Sequence, residues 1–352
     1  MTRSSRALLA CLAFSSCVHD GERVALAESL GATTVVVLDA ARARRIETEI
    51  YFAARGVPRR EPRAFIYALD VARDAEPAFV DARPLVVISH GSGGTRHDMH
   101  WLARALVESG FVVVAPAHPG NTFGDSDILR ALEPWQRPQD VSAVIDALLV
   151  HPSWGPRIDA SRIAIVGHSA GGYTALASVG ATYSIAHAEQ KCRVTVGDPT
   201  CELVKPIDRS SIDYSRSGDD YSDPRIRAAV AFAPAVGEAA NPETAQRVQR
   251  PILIFGAKRD QLTPFDGHAA HWHALLPSST MVALDDADHY AFIAPCLPHG
   301  ALVADACRDP AGFDRAATQR AIVGRVRAFL IDAFRAPPVI ASSRAARVEV
   351  GP

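Results

Sequence analysis

An excess of charge of either sign is absent from this sequence. Its 37 Lys and Arg residues face 39 Asp and Glu, for a net charge of −2. Long-range attraction therefore implies neither nucleic acid nor an anionic surface as a partner. Lysine is scarce, occurring at Lys191, Lys205 and Lys258, and the preference for arginine reads as genome composition, not function. No Cys-x-x-Cys spacing occurs, which leaves cysteine-based metal ligation unsupported. The glycine-rich stretch His90-Gly91-Ser92-Gly93-Gly94 is not followed by Gly-Lys-Ser/Thr and does not fit G-x-G-x-x-G, so a phosphate-binding loop is disfavoured. No internal repeat divides the chain. With 48% of 352 residues hydrophobic, one large core can be buried, as is common for α/β folds of this length.

The first residues read as a targeting segment. Arg3 and Arg6 precede the apolar stretch Ala7–Phe14, which is too short to span a bilayer, and small residues then lead to Cys17. This pattern predicts export, with residues 1–17 as signal peptide and a lipid anchor at Cys17 as the one route to a membrane. The four cysteines beyond it fall in loop-like stretches and pair by proximity as Cys192–Cys201 and Cys296–Cys307. Two such rings fit an oxidising compartment, although four cysteines allow other pairings.

Apolar runs alternate with helical segments, the pattern of a mostly parallel sheet covered on both faces. Strands are expected at Thr33–Leu38, Ile46–Phe52, Pro84–Ser89, Phe111–Ala115, Ile163–Val166, Ile226–Phe232, Pro251–Gly256 and Ser279–Leu284. Ile46–Phe52 alternates polar and apolar residues, as an antiparallel strand at the sheet edge would. Helices are expected around Trp101–Leu106, stopped by Gly110; over Asp140–Val150; and around Ile322, Val326, Phe329 and Leu330. The domain is drawn over residues 18–334, with a polar insertion at 183–224 read as a partial lid or a solvated loop. Residues 335–352 carry no periodicity and form a loose tail.

Gly167-His168-Ser169-Ala170-Gly171 follows one of these strands and opens a helix. In that frame G-x-S-x-G reads as a nucleophile elbow, whose glycines make room for a strained serine. Later strands end at Asp260 and at His289, the order Ser…Asp…His that an α/β-hydrolase fold requires. Asp285, Asp286 and Asp288 flank His289 and are rival acids. The N–H groups of Ser92 and Ala170 are the candidate oxyanion donors. His118, Asn121 and Thr122 lie on a loop at the carboxyl end of a strand, where they would bind substrate or fix the loop by hydrogen bonds. Trp135, Arg137 and Asp140 form a Trp-x-Arg-Pro-x-Asp run beside it. His168 reads as a packing residue. His268, His271 and His273 share a helical segment without an acid partner at helical spacing, which disfavours a metal site.

Taken together, Ser89–Gly94, Ala117–Thr122, Gly167–Gly172 and Asp288-His289-Tyr290 resemble the bacterial dienelactone-hydrolase-like proteins, which are similar in turn to platelet-activating-factor acetylhydrolases. The resemblance runs from about Thr34 to Phe334. It implies the α/β-hydrolase fold and ester hydrolysis through an acyl-enzyme, with no cofactor or metal. Two positions depart from those relatives: Ser169 stands where dienelactone hydrolases carry cysteine, and Ala233-Pro234-Ala235 offers no acid where the acetylhydrolases carry theirs, which leaves that role to Asp260. The expected substrates are small-molecule, lipid or polymeric esters. The alternatives are an amidase or peptidase using the same triad, and a catalytically silent binding protein.

Overall fold

Strand segments buried on both faces are apolar in this chain: Leu85–Ile88 and Ile163–Val166 carry no polar side chain. The structure, a computed structural model, describes residues 28–195, 201–202 and 205–337. The leader, Cys17 and most of the expected tail lie outside the described residues. Strands β1 (Ser29–Asp39), β2 (Arg44–Arg55), β3 (Arg59–Arg63), β4 (Tyr67–Arg73), the two-residue β5 (Glu76–Pro77), β6 (Arg83–Ser89), β7 (Val112–Pro116), β10 (Ile158–His168), β11 (Ile226–Phe232), β12 (Ile252–Ala257) and β13 (Ser279–Leu284) form one sheet. Strands β8 (Asn121–Thr122) and β9 (Asp125–Ser126) make a separate small hairpin. The order is β13-β12-β11-β10-β6-β7-β2-β1-β4-β3, with β5 beside β2. From β13 to β7 all neighbours are parallel.

Alternate residues of each central strand feed opposite faces. Leu85, Val87, Ile163 and Ile165 pack with helices Gln136–Val150, Ala170–Ala177 and Ala269–Leu275. Val86, Ile88, Ala164 and Val166 pack with helices His100–Glu108 and Arg315–Arg335. This double burial is why the strands read as continuous apolar runs.

The expected strands are present, but Ile46–Phe52 is not an edge. β2 lies inside the sheet, antiparallel to both β7 and β1. Two of its polar residues are interior: Thr48 and Glu49 are fully buried, and Glu49 accepts Thr34 Oγ1–H at 2.7 Å. The β3–β4 hairpin was not anticipated, because Arg-Arg-Glu-Pro-Arg carries no apolar alternation. The helix expected from Asp140 begins a turn earlier at Gln136, since Pro138 falls in the first turn, where a missing N–H breaks no helical bond. Within the insertion, Ile185–Val194 is helical, and the rings of Tyr183 and Tyr214 pack on Trp135 at 5.7 and 5.6 Å.

A buried polar cluster joins the strand ends near the sheet's carboxyl edge. Asp140 accepts Arg44 Nε at 2.6 Å and Nη2 at 2.7 Å, pairs with Arg42 Nη2 at 2.9 Å, and meets His118 Nδ1 at 3.0 Å. His118 Nε2 lies 2.9 Å from Ser89 Oγ. Burial, followed by the Arg137 charge, pushes His118 down to about 4, so its ring is neutral at pH 7. Nδ1–H therefore donates to Asp140, and Nε2 accepts from Ser89. His118 is 0% exposed with both nitrogens engaged, so of its two expected roles the geometry fits loop fixing and not substrate contact: it ties β6 and β7 to the helix carrying Asp140. Burial alone would raise the Asp140 carboxyl, but the bonds and charges of His118 and Arg44 outweigh it and hold it at about 2.

Two outcomes are expected. Because the Asp140 carboxyl sits below its ordinary value, its stabilisation is complete above about pH 4 and is lost as pH falls toward 2. Urea unfolding at stepped pH should lose about 2 kcal/mol over that window. Asp140→Asn, less stable throughout, should have a flatter acid limb; identical limbs would assign the acid loss to other groups. The structure also joins Cys192 to Cys201 and Cys296 to Cys307, with Cα–Cα separations of 5.3 and 5.5 Å. Replacing Cys296 and Cys307 by serine should cost about 2–3 kcal/mol, read as a fall of several degrees in Tm, with turnover falling too because the ring follows His289 closely in the chain.

Candidate active site

The backbone at Ser169 explains the glycines around it. Ser169 has φ 56° and ψ −118°, a conformation that costs an L-residue energy and persists only where the surroundings enforce it. Its N–H donates to Phe232 O at 2.9 Å, and its own carbonyl accepts from Ala235 N–H at 3.0 Å. A Cβ at Gly167 would lie 1.9 Å from Gly171 O, and one at Gly171 would lie 1.9 Å from Ser89 O. Neither neighbour is a side chain that could move aside. The turn therefore seats Ser169 on the ends of β6 and β11, partly accessible at the sheet's carboxyl edge.

Asp260 follows β12 and His289 follows β13. The two side chains meet, with His289 Nδ1 at 2.7 Å from Asp260 Oδ2. Both residues are buried, at 5% and 3% exposure. Asp260 also accepts Leu262 N–H and Thr263 N–H on Oδ1, each at 2.8 Å, and Thr263 Oγ1–H on Oδ2 at 2.7 Å. Burial opposes ionisation of this carboxyl, but the bond and charge of His289 and the Thr263 donors prevail and lower it. With Nδ1 committed to the carboxylate, Nε2 is the ring nitrogen left to act as a base. Thr263 was not singled out from sequence; a threonine three residues beyond an aspartate that ends a strand was the available signal.

The rival acids are occupied elsewhere. Asp285 pairs with Lys258 at 2.8 Å, Asp286 pairs with Arg259, and Asp288 accepts Tyr290 N–H at 3.0 Å. His168 is buried against His289, with ring centroids 4.7 Å apart, and its Nε2 lies 2.9 Å from His289 O. Burial, followed by repulsion from His289, pushes His168 down to about 3, so it is neutral and donates through Nε2–H. This bond fixes the backbone that carries the His289 imidazole. Ser169 Oγ and His289 make no hydrogen bond here; such bonds are often long in ligand-free sites and tighten with substrate.

The loop after β6 borders the serine: a Cβ at Gly91 would be 3.4 Å from Ser169 Cβ. Among the described residues, neither the Ser92 nor the Ala170 N–H has an acceptor. Asn121 is 5% exposed and takes the loop-fixing one of its two expected roles, its Oδ1 accepting Ser92 Oγ–H at 2.8 Å and Gly93 N–H at 2.9 Å. Arg137 bonds the loop from behind, with Nη1 to His90 O at 2.7 Å and Nη2 to Gly91 O at 3.1 Å. His268 Nδ1 accepts Gly237 N–H at 3.2 Å, and His273 Nδ1 meets Ser279 Oγ at 2.8 Å, so these rings serve local packing.

Residues 94–301, which include Ser169, Asp260 and His289, match the prolyl oligopeptidase family. Cutinase est1 of Thermobifida alba is 27% identical over 211 residues, 58% of this chain and 53% of that protein. Bis(hydroxyethyl) terephthalate hydrolase of Streptomyces coelicolor is 27% identical over 209 residues, 58% of this chain and 50% of that protein. The chain thus spans about half the length of these curated relatives. A ferulic acid esterase from Streptomyces cinnamoneus superposes with a TM-score of 0.60 over 90% of this chain and 94% of its own, at 20% identity, and shares the fold. That fold is the α/β-hydrolase fold, and the chain belongs to the prolyl oligopeptidase family within it.

Proposed function

We propose that this protein is a serine hydrolase of carboxylic esters. Ser169 Oγ attacks the ester carbonyl while His289 Nε2 takes its proton, because a free hydroxyl is too weakly acidic to attack unaided. Asp260 keeps the proton of the resting imidazole on Nδ1 and stabilises the imidazolium that forms. The N–H groups of Ser92 and Ala170 bind the oxyanion of the tetrahedral intermediate. Loss of the alcohol leaves an acyl-enzyme, which water activated by His289 hydrolyses. The observation that carries this reading is the buried Asp260–His289 pair at 2.7 Å beside a serine held at positive φ, at one edge of the sheet.

The names of the cutinase, terephthalate-ester and ferulic-ester relatives support an ester over an amide, and polymeric or aromatic esters among the candidate substrates. The family match favours a second reading, cleavage of peptide bonds by the same groups. Matched panels of p-nitrophenyl esters and peptide anilides separate the two: turnover of anilides above that of esters would displace the ester reading. The finer likeness to dienelactone-hydrolase-like proteins and acetylhydrolases rests on the sequence motifs around Ser89, His118 and Ser169. The insertion at 183–224 is proposed as a partial lid, since its Tyr183 and Tyr214 pack on Trp135, two residues before the arginine that holds the Ser92 loop. The two disulfides suit an exported protein.

Ser169→Ala should abolish ester turnover with Tm within a few degrees of the parent, because the hydroxyl reacts but packs nothing. Activity within a few-fold of the parent would remove the elbow assignment. Asp260→Asn should cost roughly four orders of magnitude in kcat through the wrong histidine tautomer, whereas Asp288→Asn should cost little. The reverse ranking in steady-state kinetics would move the acid to Asp288.

A further inference from the structure

A buried guanidinium ordinarily finds a carboxylate, because desolvating an unpaired cation is costly. Arg137 is 2% exposed, yet among the described residues no carboxylate lies within ion-pairing distance of it. Asp140, a buried acid whose charge reaches it, is taken by Arg44, Arg42 and His118. Burial drags Arg137 down to about 9, which still leaves it charged at neutral pH. Among the described residues its Nε has no partner; Nη1 donates to His90 O and Nη2 to Gly91 O, with His90 Nδ1 3.4 Å from Nη2.

Those carbonyls belong to the peptides that lead into Ser92. His90 Nε2 accepts His118 N–H at 3.1 Å, so the proton of neutral His90 is on Nδ1 and donates to Gly91 O at 2.7 Å. Gly94 N–H donates to the same oxygen at 3.1 Å. Gly91 O thus receives three donors: Arg137 Nη2, His90 Nδ1 and Gly94 N. In a planar trans peptide the C=O and the N–H point in opposite directions. Pinning Gly91 O toward the interior therefore aims Ser92 N–H outward, on the side where it finds no acceptor. Hydrogen bonds to a carbonyl also polarise its own amide, which strengthens the N–H as a donor.

We propose that Arg137 is a positioning residue for the oxyanion hole: its fixed charge orients and polarises the Gly91–Ser92 peptide, so that the donor facing the substrate is backed by a buried cation. This rests on the reading of Ser92 N–H as an oxyanion donor. An uncompensated positive charge behind the loop is unfavourable in the resting protein and becomes favourable as negative charge develops on the substrate oxygen. The arrangement acts on the transition state more than on the bound ester, so it raises kcat without tightening KM.

The test compares the full chain with Arg137→Gln and Arg137→Lys, each normalised to active sites titrated with a fluorophosphonate. For p-nitrophenyl butyrate, Arg137→Gln should lose about 100-fold in kcat per titrated site with KM within about threefold. The inhibition constant of an alkyl boronic acid, which forms a tetrahedral adduct on the serine, should rise by a similar factor. Arg137→Lys keeps the charge with poorer reach and should recover at least roughly tenfold of both losses. An unchanged kcat per titrated site and unchanged boronate inhibition in Arg137→Gln, whatever its Tm, would overturn the proposal and make Arg137 a core strut. If Ser169→Ala stays active, the reading of the site itself fails; if it is inactive and Arg137→Gln is fully active, only the role of Arg137 fails.

Discussion

The contact between helix Ala170–Ala177 and the end of β6 governs this site. At Gly171 the backbone comes so close to Ser89 that an ideal Cβ would stand 1.9 Å from a carbonyl oxygen. That approach lets the turn at Ser169 reach its strained conformation while its N–H and C=O stay bonded to Phe232 and Ala235. It also sets the loop that follows β6 directly beside the serine. Gly91 borders both Ser169 Cβ and His168, so the proposed nucleophile and one proposed oxyanion donor are placed by the same packing contact. A side chain at position 171 would separate them.

Three aspartates near this edge take different roles because their surroundings differ. Asp260 is buried but receives two N–H donors, a hydroxyl and an imidazole, an arrangement suited to holding a histidine in one tautomer. Asp140 is more deeply enclosed and faces two arginines and His118, so it acts as a structural anion joining β2, the end of β7 and the helix after Trp135. Asp98, with burial as the dominant influence, is pushed up to about 6 although Thr95 donates to it. The residue type is constant; the balance of burial against the donors and positive charges facing each carboxylate sets its behaviour.

The polar interior around the loop after β6 is organised as nested supports. Asn121 fixes Ser92 and Gly93, Arg137 and His90 fix Gly91, and His118 ties His90 and Ser89 to Asp140. Burying so many polar groups is tolerable because nearly every donor and acceptor is engaged. Both ring nitrogens of His118 are consumed in this scaffold, which leaves the accessible surface of the site to the Ser92 loop, Ser169 and whatever the insertion after Tyr183 contributes.

The sequence by itself determined the alternation of strands and helices, the turn at Ser169 and the positions of Asp260 and His289, because each is a local signal: an apolar run, a glycine spacing, a polar residue just past a strand. It also supported both cysteine pairs, whose members are only 9 and 11 residues apart. Only the tertiary structure decided the rest. Arg44 and Asp140 are 96 residues apart, and Arg137 and Gly91 are 46 apart; nothing local marks such partners, since a guanidinium reads as a surface group until the sheet order encloses it. The same reason explains why β2 was misplaced at an edge. Thr48 and Glu49 look solvent-facing in sequence, and they become interior once β1 and β7 pair on either side, with Thr34 and Arg73 supplying bonds to Glu49.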